Sequence, residues 1–263
     1  YAHSQYDFIE LGRRPFGTTY LPVVYAAALE SGRHPCTTVR DEAMDARAVA
    51  VGAQEGILGE WGMEVLNPQY EGRISSARAL AASKLAATVR LGRELSLEEV
   101  ANQARAFGFP VGEGELLTRM LLGYDSVSLK EAVRAYSAIS RKGVLPGDLR
   151  YIERIENADG EVVYQADPAE KPDTDPACDE ITAYQIHDML RESLGNGNLA
   201  AEASTLRQQP FTGAVKTGTT HEFADGWCVG YNGKVALGVW IGFHQGKEAI
   251  YENAFGRQLV FPP

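Results

Sequence analysis

Lys216-Thr217-Gly218-Thr219 gathers an ammonium, two hydroxyls and a glycine into one short stretch. At a strand end such a set can bind a carboxylate, while the glycine leaves room for a substrate along the strand edge. Chance alone gives Lys-Thr-Gly in about one chain in twenty of this length. Its setting therefore matters, and Asp225-Gly226-Trp227 and the turn Asn232-Gly233 follow it. His221, five residues beyond Lys216, can reach such a cleft from a loop and act as a base, though most lone loop histidines do no chemistry. The remaining soft ligands are scattered. His3, His34, His187 and His244 show no metal-ligand spacing, and Cys36, Cys178 and Cys228 are odd in number with no C-x-x-C pair. No metal, cofactor or disulfide framework is expected.

The elements that must hold these residues follow from periodicity and punctuation. Residues 18–29 (TTYLPVVYAAAL) read as a helix closed by Gly32, apolar nearly all round and so buried. From about 41 to 146 the signals are mostly helical. Residues 75–91 are rich in Ala and Leu, and Ser96-Leu97-Glu98-Glu99 and Ser128-Leu129-Lys130-Glu131 are capping boxes opening two further helices. Beyond about 150 the period changes. Residues 151–156 and 161–164 flank Asp159-Gly160 as a hairpin, 167–178 read as a loop, and 179–194 form another helix. Strands are expected over 213–219, 226–231 and 234–243. The near-continuous apolar run 235–243 reads as a strand covered on both faces. The fold class is α+β, an antiparallel sheet flanked by helices beside a helical region.

Composition narrows the partners. With 25 Lys and Arg against 35 Asp and Glu, the net charge of −10 and the lack of a basic stripe exclude binding to a nucleic-acid backbone or an anionic membrane surface. No apolar run reaches the roughly 18 residues of a membrane span. The chain begins at Tyr1 without an initiator Met or signal peptide, and reads as a mature form or an excised piece.

Across almost its whole length the chain resembles the transpeptidase domain of penicillin-binding proteins, nearest the class A, bifunctional kind. Arg14-Pro15-Phe16-Gly17-Thr18-Thr19-Tyr20-Leu21-Pro22 and Tyr25-Ala26-Ala27-Ala28-Leu29-Glu30-x-Gly32 are similar to the segment holding the nucleophile. Asn67-Pro68-x-Tyr70-x-Gly72, Ala79-Leu80-Ala81-x-Ser83 and Ala132-x-x-Ala135-Tyr136 match its middle. Gly213 to Thr220, Asp225-x-Trp227, Gly230-Tyr231 and Val239-Trp240-Ile241-Gly242 match its end. The resemblance implies a single transpeptidase-like domain over 1–263, of the penicillin-binding protein and serine β-lactamase fold, trimmed from a longer protein. A strand hairpin before the segment resembling residues 1–10 and a helix after Pro263 are missing by comparison.

Such domains work through S-x-x-K, S-x-N and K-T-G. A serine hydroxyl needs a base beside it, and a lysine one helical turn on supplies one. The S-x-N pair relays the proton and holds the substrate amide, while the K-T-G strand binds the carboxylate and backbone amides form the oxyanion hole. Two motifs are altered here. S-x-x-K becomes Thr18-Thr19-Tyr20-Leu21, where Thr18 keeps a hydroxyl with a crowding methyl and Leu21 has no proton-accepting atom. S-x-N becomes Ser83-Lys84-Leu85, in which the serine stays and the amide is gone. The Gly-Thr-Gly turn survives in part as Gly195-Asn196-Gly197.

By resemblance, Thr18, Ser83 and Lys216 stand at catalytic positions, and Thr217, Gly218, Thr219, Leu21, Leu85 and Asn196 line the substrate site. Plainer roles compete: Thr18 as a helix cap, Ser83 bonding its own helix backbone, Leu21 and Leu85 as core filling. Lys84, about 100° round a helix from Ser83, is discounted as a replacement base. The expected function is a domain linked to peptidoglycan synthesis that has lost acyl transfer and serves as scaffold, regulator or binder. It would be extracytoplasmic, anchored by a segment outside this chain, with stem peptides or cell-wall synthesis proteins as partners and a glycosyltransferase domain in cis. One alternative is an active acyltransferase with Thr18 as nucleophile and Lys216 as base. Another is non-covalent binding of stem peptides.

Overall fold

The computed structural model describes residues 5–45, 48, 69–112, 114–147, 150–166, 176–201, 203, 212–220, 223–243 and 249–250. Its centre is a three-stranded antiparallel sheet of β7 (Ala214–Thr219), β8 (Asp225–Tyr231) and β9 (Ala236–Gly242) in that order. Lys216 pairs with Val229, Thr217 with Cys228 and Gly218 with Trp227, while Trp227 pairs onward with Trp240. The hairpin forms, but its connection is residues 232–235 with Gly233-Lys234 at the tip rather than a two-residue Asn232-Gly233 turn, and the Asn232 side chain receives the Lys234 and Val235 amides. Among the described residues, none of 5–15 joins this sheet. Arg14–Pro15 (β1) instead pairs with Ser126–Val127 (β4).

The helix read over 18–29 is a 3-10 turn, Gly17–Tyr20, running into α1 (Leu21–Glu30), with Pro22 in its first turn. Its residues from Leu21 to Leu29 are all buried, as the all-round apolar sequence demands. Thr18 sits inside the 3-10 turn and caps neither element.

The Ala-rich run 75–91 is not one helix. It divides into α2 (Ser76–Ala81) and α3 (Leu85–Leu95), and Ser83 lies in the break at φ 55°. This is the left-handed region, which costs a non-glycine residue about 1 kcal/mol or more. A small sheet pairs β2 (Thr38–Asp41), at the edge of the region expected to be mostly helical, with β3 (Gly72–Ser75) inside it. The capping serines open α4 (Leu97–Ala106) and α5 (Leu129–Ser140); at α5 both halves of the box form. The hairpin forms as β5 (Arg154–Glu156) and β6 (Val162–Gln165), and α6 (Glu180–Gly195) starts on the Asp179 cap.

One apolar core joins α1, the helices around it and the inner face of the sheet. The strand β9 corrects the expectation of cover on both sides. Its Gly238 lies against Leu129 and Val133 of α5, but Leu237 and Val239 on the other face are exposed. Among the described residues it ends the sheet, and a continuous apolar sequence cannot tell one covered face from two.

Candidate functional site

The segment leading to Thr18 is fastened before the hydroxyl is reached. The Asp225 carboxylate is almost fully buried and accepts from Arg14 Nε at 2.6 Å, Trp240 Nε1 at 3.0 Å and the Thr220 hydroxyl at 3.0 Å. Trp227 Nε1 donates to the Pro15 carbonyl at 2.8 Å, and the Phe16 ring stands edge-on to Trp227 with centroids 5.2 Å apart. On the far side the Tyr136 hydroxyl donates to the Thr19 carbonyl at 2.7 Å. These bonds explain why Asp225-Gly226-Trp227 accompanies the Lys-Thr-Gly strand.

The strand then meets the 3-10 turn backbone to backbone. A Cβ on Gly218 would lie 2.2 Å from Thr19 Oγ1, 2.4 Å from Thr19 N and 3.0 Å from Thr18 Oγ1. Gly17, at φ 58°, meets β7 in the same way, since a Cβ there would lie 2.2 Å from the Thr219 carbonyl oxygen. Only glycine fits at either place. The structure therefore brings Thr18 to the Lys216-Thr217-Gly218-Thr219 strand, with Thr18 8% exposed.

Lys216 shares with Ala214 and Gly218 the inner face of β7. It is fully buried, its ammonium donates to the Thr217 carbonyl, and desolvation pulls its pKa from 10.5 down to about 7. Thr217 and Thr219 point to the half-buried outer face. Nearby, Thr19 Oγ1 and Tyr20 OH are buried with no hydrogen-bond partner among the described residues, and burial pushes the Tyr20 phenol well above its ordinary value.

Leu21 and Leu85 are 0% and 4% exposed and belong to the common core. Ser83 keeps a buried hydroxyl with no hydrogen-bond partner among the described residues. It sits in a strained turn rather than mid-helix, so backbone capture within a helix does not apply. Lys84 is drawn elsewhere, into a cluster that sequence reading missed. It is 5% exposed, donates to the Gln69 carbonyl, and lies 3.1 Å from Asp41 Oδ2 and 3.2 Å from Glu71 Oε1. Glu71 in turn binds Arg78, and these hydrogen bonds hold its carboxyl below the usual range. A lysine at the N-cap of α3, directly before Leu85, Ala86 and Ala87, was the signal, since a buried ammonium requires counter-ions.

Asn196 is exposed at the end of α6. Its side chain donates to Glu192 at 2.8 Å and its carbonyl accepts from Arg78, while the Asn198 amide bonds the Ala81 carbonyl. The turn thus packs on the end of α2, with the Asn196 side chain turned back on its own helix. His221 lies outside the described residues. Among the described residues no cluster of His, Cys, Asp or Glu could hold a metal ion.

Fold and site define a class: a helix-flanked antiparallel sheet whose Lys-Thr-Gly strand closes against a hydroxyl at the head of a buried helix. Residues 13–250 match the family model of the penicillin binding protein transpeptidase domain, and the chain belongs to that family. Penicillin-binding protein 1A of Neisseria gonorrhoeae is 28% identical over 256 residues, an alignment covering 97% of this chain and 31% of that protein. The chain thus spans about a third of the length of this curated relative. The fold is shared with the crystal structure of penicillin-binding protein 1A from Haemophilus influenzae, at TM-score 0.80 and 19% identity over 95% of this chain and 41% of that one. It is shared also with the D,D-transpeptidase domain of a peptidoglycan glycosyltransferase from Eggerthella lenta, at TM-score 0.67 and 20% identity over 86% of this chain and 59% of that one.

Proposed function

We propose that this domain serves peptidoglycan synthesis without performing acyl transfer, as a scaffold, regulator or binding domain within a longer, extracytoplasmic, membrane-anchored protein that carries a glycosyltransferase. The names of its relatives support the setting. One observation carries the loss of chemistry: Leu21 is fully buried in the common apolar core at the position where the family places its lysine. A positioned base contributes about 10² to 10⁴ in rate, and no pH restores one to a leucine. Leu85 removes the motif amide as well, and the methyl of Thr18 stiffens its side chain. Intact-mass measurement after incubation with benzylpenicillin tests the reading. The protein keeps its mass; a covalent adduct mapped to Thr18 refutes it.

A second reading rests on Lys216. Its complete burial and a pKa of about 7 give it a neutral amine near physiological pH, on the strand face turned toward Thr18. Thr18 would then be the nucleophile and Lys216 its base. This reading requires an adduct with the parent protein that disappears in Lys216→Met. Absence of any adduct with the parent protein rejects it.

A further inference from the structure

A cavity of about 130 Å³ lies between the chain leading into β1 and the inner face of the sheet at Trp227 and Trp240, with Leu129 of α5 at its side. Trp227, 3% exposed, is its deepest wall, and the half-exposed Tyr6 and Arg13 stand at its rim. The Phe8 ring stacks on Trp240 with centroids 6.1 Å apart, and the Arg14 guanidinium lies 5.8 Å from the centre of the same indole. A cavity of about 150 Å³ accepts benzene, so this one has room for a single ring and little more.

The charged groups lining it are two arginines, with no carboxylate among them. Both are paired, but only in part. Arg14 donates through Nε to Asp225, which Trp240 and Thr220 also satisfy. Its two Nη atoms have no hydrogen-bond partner among the described residues, although the side chain is only 21% exposed. Arg13 donates to Glu131 and to the Ser126 carbonyl, each through one Nη, and keeps further N–H groups at the rim. A guanidinium withdrawn from water with donors to spare favours an anion, and its planar fork matches a carboxylate.

We propose that this cavity binds a small aromatic carboxylate, its ring against Phe8, Trp227 and Trp240 and its carboxylate on the Nη edge of Arg14 and on Arg13. The ring meets aromatic walls in the stacked and edge-on arrangements that such pairs favour. A cationic ligand would face two like charges, and an acid without a ring would leave the aromatic wall uncovered. The site also bears on the segment that carries Thr18, because Trp227 holds the Pro15 carbonyl and Trp240 holds Asp225.

The test titrates the full chain with phenylacetate, read by the fluorescence of the tryptophans and by calorimetry. Half-saturation is expected at about 0.1 to 1 mM, with affinity at least about tenfold higher than for phenylacetamide, which lacks the charge, or acetate, which lacks the ring. Arg14→Lys keeps a cation for Asp225 but has no second nitrogen to offer, so it weakens binding at least about tenfold. Arg13→Gln, at the exposed rim, weakens it at least about threefold with an unchanged circular dichroism spectrum, and decides the matter if Arg14→Lys does not fold. Lys216→Met, at the other candidate carboxylate site, keeps the parent affinity. No saturation up to about 10 mM, equal affinity for either control compound, or undiminished binding by a folded arginine variant overturns the proposal. Binding lost in Lys216→Met and kept in Arg13→Gln overturns it too, and assigns the ligand to the Lys-Thr-Gly strand.

Discussion

Replacing Lys216 by methionine measures how dry its surroundings are. Methionine keeps an unbranched chain of similar length and needs no hydration. The native lysine has a pKa of about 7 against 10.5 when exposed. At about 1.4 kcal/mol per unit, that shift is a cost of about 4 to 5 kcal/mol to the native state. The sign follows from proton counts. Below pH 7 both folded and unfolded chains carry the ammonium, and the native state bears the whole cost. Between about 7 and 10.5 only the unfolded chain is protonated, so native stability rises with pH. Above 10.5 the cost is gone. Urea unfolding of parent and Lys216→Met at pH 6.5, 8 and 9.5 reads the difference directly, and carboxylates common to both cancel. The variant is the more stable, by an amount that shrinks by about 1.4 kcal/mol per pH unit above 7. A difference independent of pH over that range, or a less stable variant, means that the native ammonium is hydrated and that Lys216 holds no neutral amine for the second reading.

Two further perturbations test the frame of the site. Gly218→Ala drives a methyl into the Thr19 backbone and costs about 2 to 3 kcal/mol in urea unfolding, whereas Gly112→Ala, which meets no atom within 4 Å, costs less than about 1. Lys84→Met strands the buried Asp41 carboxylate and costs about 3 to 5 kcal/mol, much of it recovered when Asp41→Leu is added; a cycle with no coupling refutes the cluster.

The sheet and most helices were legible because their signals are local. Asn232-Gly233 marks the β8–β9 hairpin, the serines at 96 and 128 open their helices, and an all-apolar α1 has nowhere to go but inside. What stayed hidden depends on distant partners. Ala79 to Ala87 looks like uninterrupted helix, and only the left-handed Ser83 and the pull of Asp41 and Glu71 on Lys84 explain the break. The pairing of β2 with β3 joins segments some thirty residues apart, so no short hairpin turn announces it. At the site, the sequence placed Thr18 with the Lys216 strand through a set of ordered motifs. It could not show that β7 touches the turn backbone to backbone, nor that the Asn196 side chain binds Glu192.

Because Leu21 and Leu85 belong to the common apolar core, polar groups cannot be put at these positions one at a time without a cost. A lysine placed alone at 21 would carry a charge into the common apolar core, and an asparagine alone at 85 would bury an amide there. Each substitution made alone lowers stability. The two substitutions are therefore best introduced together, in a background stabilised elsewhere.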